Sequence, residues 1–204
     1  RSKYIGCIAL LVIRYGVSLN IIEGTYKDSV TKYFVDPAAK NAFFASYSMY
    51  AGIVTIISML AGSYLLRTLR WFSVAIFTPM TVIIFGTLFY VFMVFGSNEG
   101  IAGIIRSWGM APLYLAVMFG MITVLVSKSV KYGLFDPTKE MTYIPLDDES
   151  KIKGKAMVDV VGGRLGKSGG AAVQVLIFMV TGGTYSTLGV YLGSAFVIIC
   201  IIWI

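Results

Sequence analysis

A few ionic and amide side chains stand inside stretches of this chain that are otherwise apolar. Arg14, Asn20, Glu23 and Lys27 fall in or just beyond an apolar run that begins near residue 4. Asp159, Arg164, Lys167 and Gln174 fall in a glycine-rich run between 155 and 180. An ionised group in hydrocarbon costs roughly 2.5–3.5 kcal/mol on insertion scales, so charges kept there point to a pathway or a site. The residue types suit the binding of an anion. Lys and Arg bring charge and donors to phosphate or carboxylate, and Asn brings an orientable amide. The chain contains no His, which removes imidazole acid–base catalysis and most zinc sites. Gly166-Lys167-Ser168 imitates the end of a phosphate-binding P-loop, but that motif needs a Gly five places before its second Gly. Position 161 is Val, so no P-loop is expected.

Helical spacing sorts these residues onto faces. At 100° per residue, Asp159, Gly163, Gly166 and Gly170 fall within about 40° of one line, which predicts a face where a neighbouring helix comes close. Arg164, Lys167, Ala171 and Gln174 form a second stripe. The two cations either face a partner or snorkel to the headgroups from the helix start. Gly16, Asn20, Glu23 and Lys27 share one face of the first helix, and Arg14 lies half a turn from Glu23. Arg14 and Glu23 therefore face different neighbours unless the helix is distorted near Gly16 or Gly24. Glu23 and Lys27 either belong to the buried set or form an i,i+4 surface pair past the membrane edge.

The elements that must position them read as membrane spans. Hydrophobic residues make up 57% of the 204 and charged residues only 13%, about half the soluble norm. The fold class expected is all-α, with six transmembrane helices near 4–22 or beyond, 42–66, 71–95, 110–130, 155–180 and from 185 onward, the first extended by part of 27–41. Each of the bounded spans is about as long as a bilayer core requires. Asp36-Pro37 predicts a turn. Asp136-Pro137 with Glu140 predicts a helix start, inside a cytoplasmic connecting loop at 135–154. Asp147, Asp148 and Glu149 read as a solvated acidic loop. Arg1 and Lys3, Arg67 and Arg70, and the Lys-rich loop before span five lie on one side if the spans alternate, and that side should be cytoplasmic. Cys7 and Cys200 read as two buried thiols rather than a disulfide or a metal pair. The net charge of +7 partly reflects basic loops and partly an anionic substrate. With no initiator Met and a last apolar run broken off in mid-helix, the sequence reads as a piece of a longer chain.

At Phe135-Asp136-Pro137-Thr138-Lys139-Glu140-Met141, Tyr143-Ile144-Pro145-Leu146-Asp147 and Lys153-Gly154-Lys155-Ala156, the sequence resembles the ATP/ADP translocases, the nucleotide transporters of plastids and obligate intracellular bacteria. Asp159-Val160-Val161, Leu165-Gly166-Lys167-Ser168-Gly169-Gly170, and Tyr15-Gly16-Val17-Ser18-Leu19-Asn20 followed by Glu23 carry the resemblance further. The resemblance implies a twelve-helix transporter of major-facilitator type, of which residues 1–204 would be the C-terminal six-helix bundle. It implies exchange of ATP for ADP, with phosphate as a further substrate in many members. The membrane would be a bacterial inner membrane or a plastid inner envelope. Glu23 and Lys167 match positions regarded in the family as critical for transport.

On that reading the partners are ATP, ADP, phosphate, membrane lipids and the N-terminal bundle. No cofactor, metal, nucleic acid or enzymatic activity is expected. Lys167 is the first choice for the phosphates and Arg164 the second, because a lysine point charge releases an anion more readily than a bidentate fork. Glu23 would pair with a cation when the site is empty, limiting unloaded return, and Asn20 would orient adenine or ribose. Arg14 and Lys27 join the set by burial and by helical face. The competing function is a proton-coupled nucleotide importer of broader specificity, with Glu23 as the titrating group. A membrane-embedded ATP-using enzyme finds no support in the residues. A purely structural protein leaves the buried ions unexplained.

Overall fold

The computed structural model describes residues 2–96, 98–185 and 187–203. Helix α1 spans Ser2–Tyr33 and α2 spans Pro37–Thr68. Asp36 caps α2 by accepting from the amides of Ala38 at 3.2 Å and Ala39 at 3.0 Å. Pro37 occupies the first helical position, where its missing N–H costs nothing. The predicted turn is thus in place, and α1 runs a full eleven residues beyond 22 to Tyr33. Helix α3 is Trp71–Phe95. The connection after it holds a short helix, α4 (Glu99–Ser107), capped by Asn98 and buried through Ala102 and Ile105.

The second half departs from expectation at Asp136-Pro137. Helix α5 (Pro112–Val130) passes through a wide π-helical turn at Lys131–Phe135 into α6 (Asp136–Thr142) without a break. Phe135 and Asp136 both keep right-handed helical dihedrals, and no side chain caps this point. Asp136-Pro137 is therefore not a helix start. The reason lies four residues back. A proline ring collides with the carbonyl of residue i−4 and cannot donate to it, and a π turn relieves both problems. That carbonyl belongs to Gly133. It faces Gly62 of α2, where an added Cβ would collide with it.

The polar stretch 135–154 is likewise mostly helical. Only residues 143–147 leave the helix, between α6 and α7 (Asp148–Ala156). Asp147 caps α7 through the amide of Ser150, and Asp148 and Glu149 occupy its first turn. The expected acidic loop is therefore a helix N-terminus, where negative charge meets the positive end of the dipole. A second π turn, Met157–Gly162, joins α7 to α8 (Gly163–Thr181). Helix α8 stops at Gly182, whose φ of +67° is a left-handed value open to glycine. Helix α9 follows at Gly189–Trp203.

The described residues are all-helical, with four helices long and apolar enough to cross a membrane: Lys3–Tyr33, Pro37–Thr68, Trp71–Phe95 and Pro112–Thr142. The continuous 148–181 helix carries all its charge at or before Lys167, and α9 has 15 residues, about 22 Å at 1.5 Å per residue. Helices α1 and α5 pack side by side. Helix α8 flanks α1, α2 flanks α5, and α3 and α9 close the back of the row. The main core lies between α1, α3, α5 and α9, with Ile21, Ile22, Tyr26, Phe89, Val117 and Phe196 fully or nearly fully buried. Cys200 is buried there; Cys7, expected to be buried, is exposed.

Helix α8 meets α1 through glycine. The buried line is Gly162, Gly166, Gly170 and Gln174, at i,i+4 spacing. Gly163, expected on this face, has open space around it. Asp159, expected on the same line, instead accepts from Lys139 of α6 at 2.6 Å. The π turn between Asp159 and Gly163 breaks the 100° register on which the expected face was drawn. Lys139 is only 11% exposed and is the hub of an ionic cluster. Lys155 to Glu140 at 2.7 Å and Lys131 to Asp136 at 2.6 Å complete the cluster. Tyr143, in the turn between α6 and α7, is fully buried against Ile8 and Val158. Burial, then Asp159 and Glu140, push its phenol well above the ordinary tyrosine range, so it stays neutral.

A Cβ at Gly166 would lie 3.0 Å from Gly16 Cα and 3.1 Å from the Ile13 carbonyl oxygen, both backbone. Gly166→Val should therefore destabilise the protein by about 1–3 kcal/mol, and Gly163→Ala should be tolerated. Thermal unfolding of the detergent-solubilised protein measures both. Equal melting temperatures for the two variants would remove this contact from the fold.

Candidate functional site

Asn20, Glu23 and Lys27 follow one another along a single side of α1. Ile21 and Thr25 occupy the other side, where Thr25 Oγ1 lies 3.1 Å from the Tyr90 hydroxyl of α3. The Asn20–Glu23–Lys27 strip thus looks away from the helices that close the back of the row. Glu23 Oε1 is 2.7 Å from Lys128 Nζ of α5, and Glu23 Oε2 is 3.7 Å from Lys27 Nζ. Tyr47 of α2 stands beside the same Lys128 ammonium. Side chains from three helices therefore meet on the α1–α5 seam. Glu23 is 21% exposed and Lys128 38%, so the pair is lodged in the bundle yet open to a solute.

On the α8 side, Gln174 Nε2 donates to Asn20 Oδ1 at 2.8 Å and to the Gly170 carbonyl at 3.0 Å. The close glycine contact permits this. A Cβ on Gly170 would lie 2.6 Å from Asn20 Cβ. Between the two helices is a cavity of about 240 Å³ lined by residues that include Asn20, Glu23, Lys27, Gln174, Phe178 and Tyr185.

The structure thus brings together Asn20, Glu23 and Lys27 of the residues singled out in the sequence. Arg164 and Lys167 lie on the exposed face of α8. Lys167 stands one turn before Ala171, which lines the cavity. Gln174, placed by spacing on the stripe with Arg164 and Lys167, turns instead toward α1 and is buried. It completes the i,i+4 line of Gly162, Gly166 and Gly170. Arg14 donates to the Ile202 carbonyl of α9 at 2.7 Å. It does not join the Glu23 cluster, as the half-turn between them requires.

Lys128 is absent from the residues singled out in the sequence, because a span of 110–130 puts it at the membrane edge. The signal was the continuity of the helix through Asp136-Pro137. In one helix from 112 to 142, Lys128 is near the middle. No group of three or more His, Cys, Asp or Glu is placed to hold a metal among the described residues. The site offers charge and amides rather than a nucleophile or an acid–base pair. It can bind and release an anion without breaking a bond.

Removing Glu23 leaves Lys128 without its carboxylate, and removing Lys128 leaves Glu23 only the longer contact to Lys27. Glu23→Gln and Lys128→Met should each lower the melting temperature. The double variant should recover at least about 0.5 kcal/mol of the summed loss. Simple additivity would show that the two groups do not interact.

The family model described as TLC ATP/ADP transporter matches residues 1–204. The ADP,ATP carrier protein 1 of Rickettsia typhi is 46% identical over 210 residues, covering 100% of this chain and 41% of the relative. That of Rickettsia prowazekii is 46% identical over 208 residues with the same coverage. The ADP,ATP carrier protein 4 of Rickettsia felis is 43% identical over 206 residues, covering 100% of this chain and 40% of the relative. The chain spans about two fifths of the length of these curated relatives. No solved structure matches it. A match that runs the whole length of the chain, joined to relatives above 40% identity, settles the kinship: the chain belongs to the TLC ATP/ADP transporter family.

Proposed function

We propose that this chain is part of a nucleotide transporter that exchanges ATP for ADP across a bacterial inner membrane. The observation that carries the reading is the family match over residues 1–204. The Glu23 carboxylate, held between Lys128 and Lys27 on an open seam, supplies a physical means. In this reading the helices 148–181 and Gly189–Trp203 also span the membrane. The six spans form one bundle of a twelve-helix, major-facilitator-type protein. The second bundle covers the face on which Glu23, Lys128, Arg164 and Lys167 lie.

A polyphosphate entering such a chamber must exchange its hydration for cations and donors. It draws the lysines from Glu23, and when it leaves, Glu23 takes them back. The empty site is then internally neutralised and the loaded one is neutralised by substrate, which favours exchange over leak. Lys167 and Arg164 add charge from the α8 side, with Lys167 the more readily released contact. Alternating access follows from rocking of this bundle against the other, and phosphate fits the same cations.

The full-length protein in liposomes tests this. Labelled ATP should enter vesicles preloaded with ADP and not empty ones. Uptake into empty vesicles driven by a pH gradient would replace exchange with proton coupling. Lys167→Ala should lower uptake at least about tenfold while the protein still inserts, and Lys167→Arg should also impair it. Wild-type uptake by Lys167→Ala would remove Lys167 from the site.

A further inference from the structure

We propose that the cavity between α1 and α8 is the nucleobase subsite, and that the Gln174 side-chain oxygen accepts a hydrogen bond from the exocyclic amine of adenine. The proposal rests on the nucleotide-transport reading and names the part of that site that reads the base. Gln174 is 4% exposed. Its Nε2 is held by Asn20 Oδ1 and the Gly170 carbonyl. Its Oε1 is buried and meets no donor among the described residues. Turning the amide over would press Oε1 against those two acceptor oxygens, so the orientation is set by its neighbours. Buried acceptors are ordinarily satisfied; this one lies against Gly24, which lines the cavity, so a ligand there can supply the missing donor.

The surroundings fit a planar amine-bearing ring. Position 24 must be Gly for the oxygen to lie where it does, since a Cβ there would collide with Gln174 Oε1 and sit 3.0 Å from the Tyr185 hydroxyl. Phe178 and Tyr185 stand edge to face with centroids 4.7 Å apart and offer aromatic surface for a base to pack on. Asn20 gives its oxygen to Gln174 and keeps its NH₂ as a donor. An acceptor and a donor lining one cavity match in kind adenine's amine and the ring nitrogen next to it. The cavity, about 240 Å³, is smaller than the roughly 300–1,000 Å³ of pockets that enclose whole ligands. It has room for the base alone. Glu23 and Lys27 line the same cavity, which leaves the phosphates on the charged side.

The test compares ATP with purine riboside 5′-triphosphate, which lacks the amine, in liposomes carrying the full-length protein. Wild type should favour ATP by at least roughly tenfold, the discrimination expected when a buried acceptor loses its partner. Gln174→Met should bring the ratio close to one by slowing ATP and not the analogue. Ala171→Leu, which narrows the cavity from an exposed position, should also lower the ratio. A ratio unchanged in Ala171→Leu overturns the subsite even if Gln174→Met fails to fold. Equal wild-type uptake of both nucleotides also overturns it, and would mean that the oxygen is served by a buried water only. Failure of wild type to move either nucleotide would instead sink the transport reading beneath it.

Discussion

The backbone-to-backbone approach of α1 and α8 is the constraint on which the rest depends. Gly16 and Gly166 leave no side chain between the two helices. One turn further on, Gly170 lets Asn20 in, and one turn beyond that Gln174 reaches the Asn20 amide. In lipid there is no hydrophobic drive to bring helices together, so small residues and interhelical hydrogen bonds must do it. Here both act along one line. The contact also fixes the rotation of α8. With Gly162, Gly166, Gly170 and Gln174 turned inward, Arg164 and Lys167 are turned outward, toward whatever covers that side of the bundle.

Two of the ionic clusters differ in a telling way. At the seam, Glu23 is shared by Lys128 and Lys27 and stays accessible. Around the two π turns, Lys139 gathers Asp159, Asp136 and Glu140 and is almost covered. The difference in exposure separates their roles. A buried, multiply bonded lysine is expensive to disturb and ties α6 to the start of the 148–181 helix. A half-open pair can give up a partner to an incoming anion.

Much of this was legible in the sequence, and the losses have a common origin. Apolar length located the first four spans, and the Asp36-Pro37 turn followed from cap chemistry. The 3.6-residue repeat put Asn20, Glu23 and Lys27 on one strip and separated Arg14 from them. What failed was every inference that carried a regular repeat across residues 131–135 or 157–162. Asp136-Pro137 reads as a start, Gly163 as a packing glycine, and Lys128 as the end of a span. Each error traces to a wide turn that single-residue patterns do not announce. Gln174 was misplaced for a different reason. Its amide bonds to a carbonyl of its own helix and to Asn20, and that preference for a partner outweighs the stripe it shares with two lipid- or solute-facing cations.

The Gly133 carbonyl, released by Pro137 and facing Gly62, has an evolutionary corollary. A π turn is in effect one residue more than the helix needs. Loss of a residue there would return the segment to an ordinary helix with the faces on either side still in register. It would also hand the carbonyl back to a proline that cannot use it. Length at this point is therefore bound to the proline: relatives that shorten the turn by one should also have replaced the residue at 137.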